Sequence, residues 1–225
     1  MRLRIAAEVA GALSYMHSSA SIPIYNQDIK STSIMLDEKY KAKIADFGIS
    51  KFVAIDQTHA TTQVQGTFGY LDPKNFRSCQ FTDKSDVYSS SVVLTELLTS
   101  QKPISMVRPE EYRGLATYYI LSMEEYHLVD ILEGKEEEIM AVVFLAKRWL
   151  DLKGKRRPSM KEAAMELERI RMLRNPSCGV QNHSDIDFSS NSIGWDDAWT
   201  SMRSDLDVDL ISFPDVHPLL DIESW

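Results

Sequence analysis

The sequence predicts a helix-rich domain that carries one small β-hairpin. Apolar residues recur at helical spacing over residues 3–18, and a second, mostly buried helix is predicted over residues 83–99. Between these helices, two short apolar runs, residues 34–36 and 42–45, flank a polar turn, which predicts the hairpin. The chain has 225 residues, which is enough to bury one sizeable core around these elements.

Three further helices are expected in the second half of the chain. Residues 114–123 and 136–150 carry apolar side chains at helical spacing. Ser159 and Glu162 form a capping box, which predicts the start of a last helix that reaches residue 172.

The acidic residues are concentrated at the end of the chain. The net charge is −8, but ten acidic residues and one basic residue follow Pro176, so the remainder is close to neutral. We therefore expect a folded part over residues 1–173 and an acidic, Ser-rich, disordered tail over residues 174–225. Neither part offers the basic face that a nucleic-acid partner requires.

The cysteine and hydropathy patterns indicate the compartment. Cys79 and Cys178 provide neither a disulfide framework nor metal-ligand spacing, which fits a reducing environment. No apolar run reaches the roughly 18 residues of a membrane-spanning helix. For the sequence as given, these patterns predict a cytoplasmic location without a membrane span.

Two acids stand at the ends of the predicted hairpin. Residues 25–48 read YNQDIKSTSIMLDEKYKAKIADFG, with Asp28 and Lys30 before the hairpin and Asp46 after it. A hairpin brings its ends together, and two carboxylates near a lysine suit metal-assisted phosphoryl transfer. On residue type alone, the two acids fit ordinary turn positions at least as well.

This stretch resembles the catalytic loop and metal-binding segment of eukaryotic protein kinases, in which H-R-D-x-K-x-x-N precedes D-F-G. Four segments resemble the sequences of plant wall-associated receptor-like kinases, namely DIKST, LDEKYKAKIADFG, TTQVQGTFGY and FTDKSDVYS. This resemblance extends over roughly residues 1–173. The resemblance implies a protein-kinase-like α+β fold, and this sequence would hold its C-terminal lobe only, without the N-terminal lobe. It also implies serine/threonine phosphorylation with ATP and Mg²⁺ as cofactors.

The resemblance assigns a function to each residue that matches the motif. Asp28 would be the base for the acceptor hydroxyl, Lys30 would contact the transferred phosphate, and Asp46 would be the main Mg²⁺ ligand. Ser33 stands where the family has the Asn that holds a second Mg²⁺, so it would be a degenerate ligand because a serine hydroxyl is shorter than an amide.

The two positions before Asp28, and residues 49–71, which by resemblance would be the activation segment, complete the comparison. Asn26 and Gln27 replace the His and Arg of the motif, which removes the cation that would bind a phosphorylated activation segment. By resemblance, Thr61 and Thr62 are candidate phosphorylation sites, and Thr67 would line the substrate-binding loop near Asp28. An ordinary flexible Thr-rich loop is the alternative.

The resemblance also implies structural contacts. Asp86 would accept hydrogen bonds from the catalytic-loop backbone. Lys74 replaces a Glu that pairs with the Arg matched here by Arg157, so two cations would face each other, and breaking a buried pair costs about 3–5 kcal/mol. Ser90 and Ser91 replace Phe and Gly of the central helix, and their hydroxyls are expected to bond carbonyls one turn earlier.

Three hypotheses about function remain open. The first is a serine/threonine kinase with impaired or absent catalysis, because the sequence holds no G-x-G-x-x-G loop and begins at the helix before the catalytic loop. The same absence counts against ATP binding by this chain alone. The second is a pseudokinase-like interaction module, with protein substrates or a full-length kinase relative as partners. The third is a truncated kinase-derived product. In a fragment of a longer receptor, the missing lobe would lie upstream, on the cytosolic face of the plasma membrane.

Overall fold

The chain forms six α-helices and three two-stranded antiparallel sheets within the residues that the computed structural model describes, namely 1–18, 20–53, 59–61, 65–124 and 137–174. The helices are α1 (Arg2–Ser18), α2 (Pro73–Ser78), α3 (Asp83–Thr99), α4 (Leu115–Glu124), α5 (Glu137–Trp149) and α6 (Met160–Arg174). The strands are β1 (Ile24–Tyr25), β2 (Ile34–Leu36), β3 (Ala42–Ile44), β4 (Lys51–Phe52), β5 (Ala60–Thr61) and β6 (Gln80–Phe81).

The predicted helices are confirmed to within one or two residues, and so is the hairpin. Strand β2 pairs with β3, with Ile34 opposite Ile44 and Leu36 opposite Ala42. The sequence did not predict α2 or the short pairs β1–β4 and β5–β6, because two-residue strands carry no periodic signal. From residue 175 onward, the predicted tail lies outside the described residues.

Helix α3 lies at the centre of the main hydrophobic core, where α1, α4, α5 and α6 contribute their apolar faces. Its N-terminus is closed by a capping box between Thr82 and Ser85, and it ends at Ser100, which adopts a left-handed conformation with φ of 55°. Fully buried partners of α3 include Trp149, Tyr119 and Leu13. Because helices surround it, α3 holds any polar side chain it carries in a fixed position.

The hydroxyls of Ser90 and Ser91, which replace Phe and Gly, donate to different kinds of acceptor. Ser90 Oγ donates to Asp86 O, one turn earlier, at 2.8 Å, as expected. Ser91 Oγ instead donates to Ala146 O on α5 at 2.8 Å, so the expectation of a bond within α3 is wrong for this residue. The small residue at position 91 thus adds a polar contact between α3 and α5.

The expected clash at Arg157 is also wrong, because Arg157 has a carboxylate partner. Its Nη1 and Nη2 donate to Asp72 Oδ2 and Oδ1, each at 2.8 Å, and both side chains are fully buried. Lys74 is exposed. Its Nζ nevertheless lies on the same side of Gly154 as Arg157 Nη1, since a Cβ placed on Gly154 would be 3.6 Å from the first atom and 3.9 Å from the second. Lys74→Glu should therefore change stability by no more than about 1 kcal/mol.

Further contacts hold the Arg157 guanidinium in place. Nη1 also donates to Lys84 O at 2.9 Å and Nε donates to Asp151 O at 2.7 Å. The guanidinium carbon lies 4.9 Å from the centre of the Tyr88 ring, within the range of a cation–π interaction. This one side chain therefore ties the segment before α6 to the N-termini of α2 and α3.

We expect Asp72→Asn to lower the free energy of unfolding by about 3–5 kcal/mol, because the buried Arg157 cation loses its charged partner. Asn is also a good N-cap residue, so the cap of α2 is retained. Urea unfolding of the two proteins measures the loss. The control is Asp83→Asn, which removes a partly exposed partner of Lys84 and should cost less than about 1 kcal/mol. Equal losses in both variants would contradict the assignment.

Candidate active site

The loop before the hairpin is fixed to the core through the carboxylate of Asp86. Asp86 Oδ2 accepts from Asn26 N at 2.9 Å and Oδ1 accepts from Gln27 N at 3.1 Å. His17 Nε2, at the end of α1, lies 2.8 Å from Asp86 Oδ2, and its ring packs edge-on against Tyr25. One buried carboxylate therefore joins α1, α3 and the loop.

The hairpin brings the two predicted acids together, with Lys30 between them. Lys30 Nζ forms an ion pair with Asp28 Oδ2 and lies 3.6 Å from Asp46 Oδ2. Thr67 Oγ1 donates to Asp28 Oδ1 at 2.6 Å, so the activation segment also meets the loop at this carboxylate. The structure thus brings four of the predicted site residues into one cluster.

The electrostatics of this cluster keep Asp28 charged. Burial alone would raise the pKa of Asp28, but the hydrogen bonds from Lys30 and Thr67 outweigh it and leave its pKa below the ordinary value. The hydrogen bond to Asp28 raises the pKa of Lys30. At neutral pH the cluster therefore holds a carboxylate next to an ammonium group.

Asp46 presents its carboxylate to solvent from a strained turn. Its φ is 65°, a left-handed conformation that non-glycine residues rarely adopt outside functional sites and turns. About half of its side chain is exposed. At Gly48, a Cβ would lie 3.3 Å from Asp46 Oδ1, so the glycine leaves room for this carboxylate.

Ser33 lies at the base of the hairpin, where its carbonyl accepts from Ala45 N at 2.8 Å. Its side chain is buried, and its Oγ has no hydrogen-bond partner in the described part of the chain. Mg²⁺ usually takes one or two carboxylates together with phosphate oxygens and water. The exposed Asp46 carboxylate fits one such ion, whereas the orphaned Ser33 hydroxyl would offer a second ion only a weak ligand.

The structure describes two of the three threonines predicted for the activation segment, and it places them differently. Thr67 contacts Asp28, as described above. Thr61 lies in β5, opposite Gln80 of β6. Thr62 lies outside the described residues. Of the two threonines that the structure describes, Thr67 is the one that it brings to the site.

A hydrogen-bonded network beside the site was not predicted. Tyr70 Oη donates to Glu96 Oε2 at 2.9 Å, and Ser31 Oγ donates to Glu96 Oε1 at 3.2 Å and lies 2.9 Å from Tyr70 Oη. Burial raises the pKa of Glu96 and raises the pKa of Tyr70 to about 12. The sequence did contain a signal for this network, because Glu96 stands in the apolar run VVLTELL of α3 and a buried acid usually has a partner.

The described residues contain neither a cluster of metal ligands nor a membrane-spanning helix. Among them, no group of three or more His, Cys, Asp or Glu side chains converges as a metal site would require. No helix in the same part of the chain is both long and apolar enough to span a membrane.

The fold and the site together define a protein kinase domain. The family model described as "Protein kinase domain" matches residues 2–166, which is more than half of the chain, and the chain therefore belongs to this family.

The chain is similar in particular to wall-associated receptor kinase-like proteins of Arabidopsis thaliana. It is 59% identical to Wall-associated receptor kinase-like 5 over 177 residues, which cover 76% of this chain and 24% of that protein. The figures for Wall-associated receptor kinase-like 1 are the same. Putative wall-associated receptor kinase-like 11 is 44% identical over 239 residues, covering 100% of this chain and 30% of that protein. The chain thus spans about a quarter of the length of the first two relatives.

We expect Asp86→Asn to destabilise the protein by about 1–3 kcal/mol, because an amide has one acceptor oxygen and leaves a buried loop N–H unpaired. Hydrogen exchange should report faster exchange at the Asn26 and Gln27 amides. Ser90→Ala is the matched control on the same helix, since its hydroxyl bonds a carbonyl that already belongs to the helix. Unchanged protection of the two loop amides in Asp86→Asn would refute the anchor.

A second prediction concerns pH. Because the pKa of Glu96 is raised in the folded state, its contribution to stability is fully present below its unfolded pKa, near pH 4, and is lost as the pH rises through the folded value. Relative to Glu96→Gln, the wild-type free energy of unfolding should therefore fall between pH 4 and neutral pH. Urea unfolding at both pH values tests this, with Glu111→Gln as an exposed control. Parallel pH curves for wild type and Glu96→Gln would exclude the effect.

Proposed function

We propose that residues 1–173 are the C-terminal lobe of a serine/threonine protein kinase of the receptor-like type, with impaired phosphoryl transfer. The observation that carries this proposal is the Asp28 carboxylate, which Thr67 and Lys30 hold from two sides. As part of a receptor, the lobe would act on protein substrates at the cytosolic side of the membrane.

The geometry of the cluster supports a separate part in the reaction for each of its residues. Asp28 accepts the proton of a substrate Ser or Thr hydroxyl and is ionised for that purpose at neutral pH. Thr67 fixes the orientation of the Asp28 carboxylate, and Lys30 offsets negative charge on both sides. Asp46 would hold Mg²⁺. When bound, ATP would supply the phosphoryl group and Mg²⁺ would neutralise its charge.

Two substitutions support the impairment. Ser33 provides a buried hydroxyl in place of the longer Asn side chain, which weakens the second metal position. Gln27, in place of Arg, is buried and uncharged, so it offers no cation to a phosphate on Thr61 or Thr62. Because phosphoryl transfer depends on positioning and charge, both changes should lower the rate.

A pseudokinase-like interaction module is the second candidate. Large apolar side chains are exposed around the same hairpin, with Met35, Leu36 and Phe47 each at least 44% exposed. Exposed apolar surface of this kind favours association with another protein. A full-length kinase relative is the partner class that we consider.

Thermal unfolding with ATP and Mg²⁺ distinguishes the two functions. If the proposal is correct, Mg²⁺-dependent ATP binding should stabilise the fold by about 2.7 kcal/mol at a hundredfold excess over the dissociation constant. Asp46→Ala should abolish this shift. Glu38→Ala, an exposed acid in the hairpin turn, is the matched control and should retain it.

The second measurement is phosphotransfer to Ser- and Thr-containing peptides, which should be slow and should disappear in Asp28→Asn. A cooperative thermal transition that ATP and Mg²⁺ do not shift would contradict the catalytic proposal and favour the interaction module.

A further inference from the structure

Arg108 is a buried cation that forms no ion pair in the part of the chain that the structure describes. The residue is 9% exposed. Its Nη1 donates to Arg113 O at 2.9 Å and its Nη2 donates to Lys102 O, while the guanidinium carbon lies 5.4 Å from the centre of the Tyr118 ring. The nearby acid Glu110 pairs with Arg113 instead. Buried charges are normally paired, so this arrangement calls for an explanation.

The guanidinium of Arg108 keeps donors available. A guanidinium carries five N–H donors, and the two carbonyls occupy two of them. Those carbonyls also fix the orientation of the group, so it meets a ligand without rearranging. Burial lowers the pKa of Arg108, as expected for a cation that lacks a counter-charge.

An open pocket of about 380 Å³ lies against Arg108. Its lining also includes Gln101, Lys102, Ser105, Val107, Pro109 and Tyr118, and no acidic side chain among the described residues contributes to it. The pocket thus combines two cations, hydroxyl and amide groups with the apolar side chains of Val107 and Pro109, and the cations and polar groups provide the chemistry that binds a carboxylate or a phosphate.

The loop that forms this pocket packs against the segment that carries Thr67. At Gly69, a Cβ would lie 3.0 Å from Ile104 Cγ1 and 3.3 Å from Pro103 Cβ, so the two segments touch where the side chain is missing. Two residues earlier, Thr67 bonds Asp28. A peptide that presents its hydroxyl to Asp28 and extends past Gly69 would reach the loop containing Arg108.

We propose that the pocket formed by Arg108 and Lys102 binds an anionic side chain, a carboxylate or a phosphate, of the peptide whose Ser or Thr meets Asp28. The peptide part of this proposal rests on the function proposed above. The pocket would make the site selective for peptides that carry an acidic residue at one fixed distance from the acceptor.

Peptide binding to the full chain, measured by fluorescence anisotropy without nucleotide, tests the proposal. The probes are labelled alanine-rich peptides with one Ser and a single Glu moved stepwise along the sequence, each with a Gln counterpart and a phosphoserine counterpart. One spacing should bind more tightly with Glu or phosphoserine than with Gln. The two anionic series identify which group the pocket takes, and a preference in either one supports the proposal.

Three variants make the result specific. Arg108→Gln should abolish the preference for the anionic peptide. Lys102→Gln removes an exposed side chain and leaves both carbonyl contacts of Arg108 intact, so the variant should fold normally. Its affinity for the anionic peptides should be about threefold to fivefold lower than that of wild type. Lys161→Gln, an exposed lysine on α6, is the control and should bind as wild type does.

Equal affinities for Glu, phosphoserine and Gln peptides at every spacing would overturn the proposal, as would an equal loss in Lys161→Gln. Competition by inorganic phosphate without any dependence on spacing would overturn its peptide part. Because no ATP is present, a failure of nucleotide binding leaves this measurement unaffected, and the two proposals can fail separately.

Discussion

The candidate site depends on a buried carboxylate that accepts from the backbone of a loop. Asp86 is fully buried in α3, yet its oxygens bond two loop amides and the His17 ring. A buried charge of this kind is tolerated only when hydrogen bonds replace its hydration, and here the loop supplies two of them. The position of Asp28, two residues further on, follows from where Asp86 holds Asn26 and Gln27.

The polar residues of α3 are arranged to support this anchor. Ser90 and Thr95 donate to carbonyls one turn earlier, and Ser91 donates across to α5, so the buried hydroxyls are satisfied without water. At the far end, Glu96 connects the helix to Ser31 and Tyr70. One rigid helix therefore contacts the segment on each side of Asp28, which positions the carboxylate more firmly than a loop alone would.

The sequence was sufficient for the features that depend on local patterns. The helices follow from apolar spacing, and the approach of Asp46 to Lys30 follows from a hairpin whose strands are neighbours in the chain. The partner of Arg157 could not be predicted in this way, because it lies 85 residues away. The choice between Asp72 and Lys74 depends on how α2 begins, because Asp72 is the N-cap and is buried, whereas Lys74 lies in the first turn and is exposed. Ser91 was mispredicted for the same reason, as its acceptor belongs to another helix.

The substitutions in the catalytic loop indicate what holds its conformation. Both polar side-chain atoms of Gln27, together with Asn26 Nδ2 and Ser33 Oγ, are buried without hydrogen-bond partners in the described part of the chain. Each such atom costs about 1–3 kcal/mol. Asn26 Oδ1, by contrast, accepts from Asp28 N at 3.1 Å, so this side chain does hold the loop at Asp28. This bond and the contacts of Asp86 with the Asn26 and Gln27 amides maintain the path of the loop, in which Gln27 adopts a left-handed φ of 72°. A loop held through its backbone can change side chains while its geometry persists, which is why Asp28 and Lys30 remain in place beside residues that differ from the kinase motif.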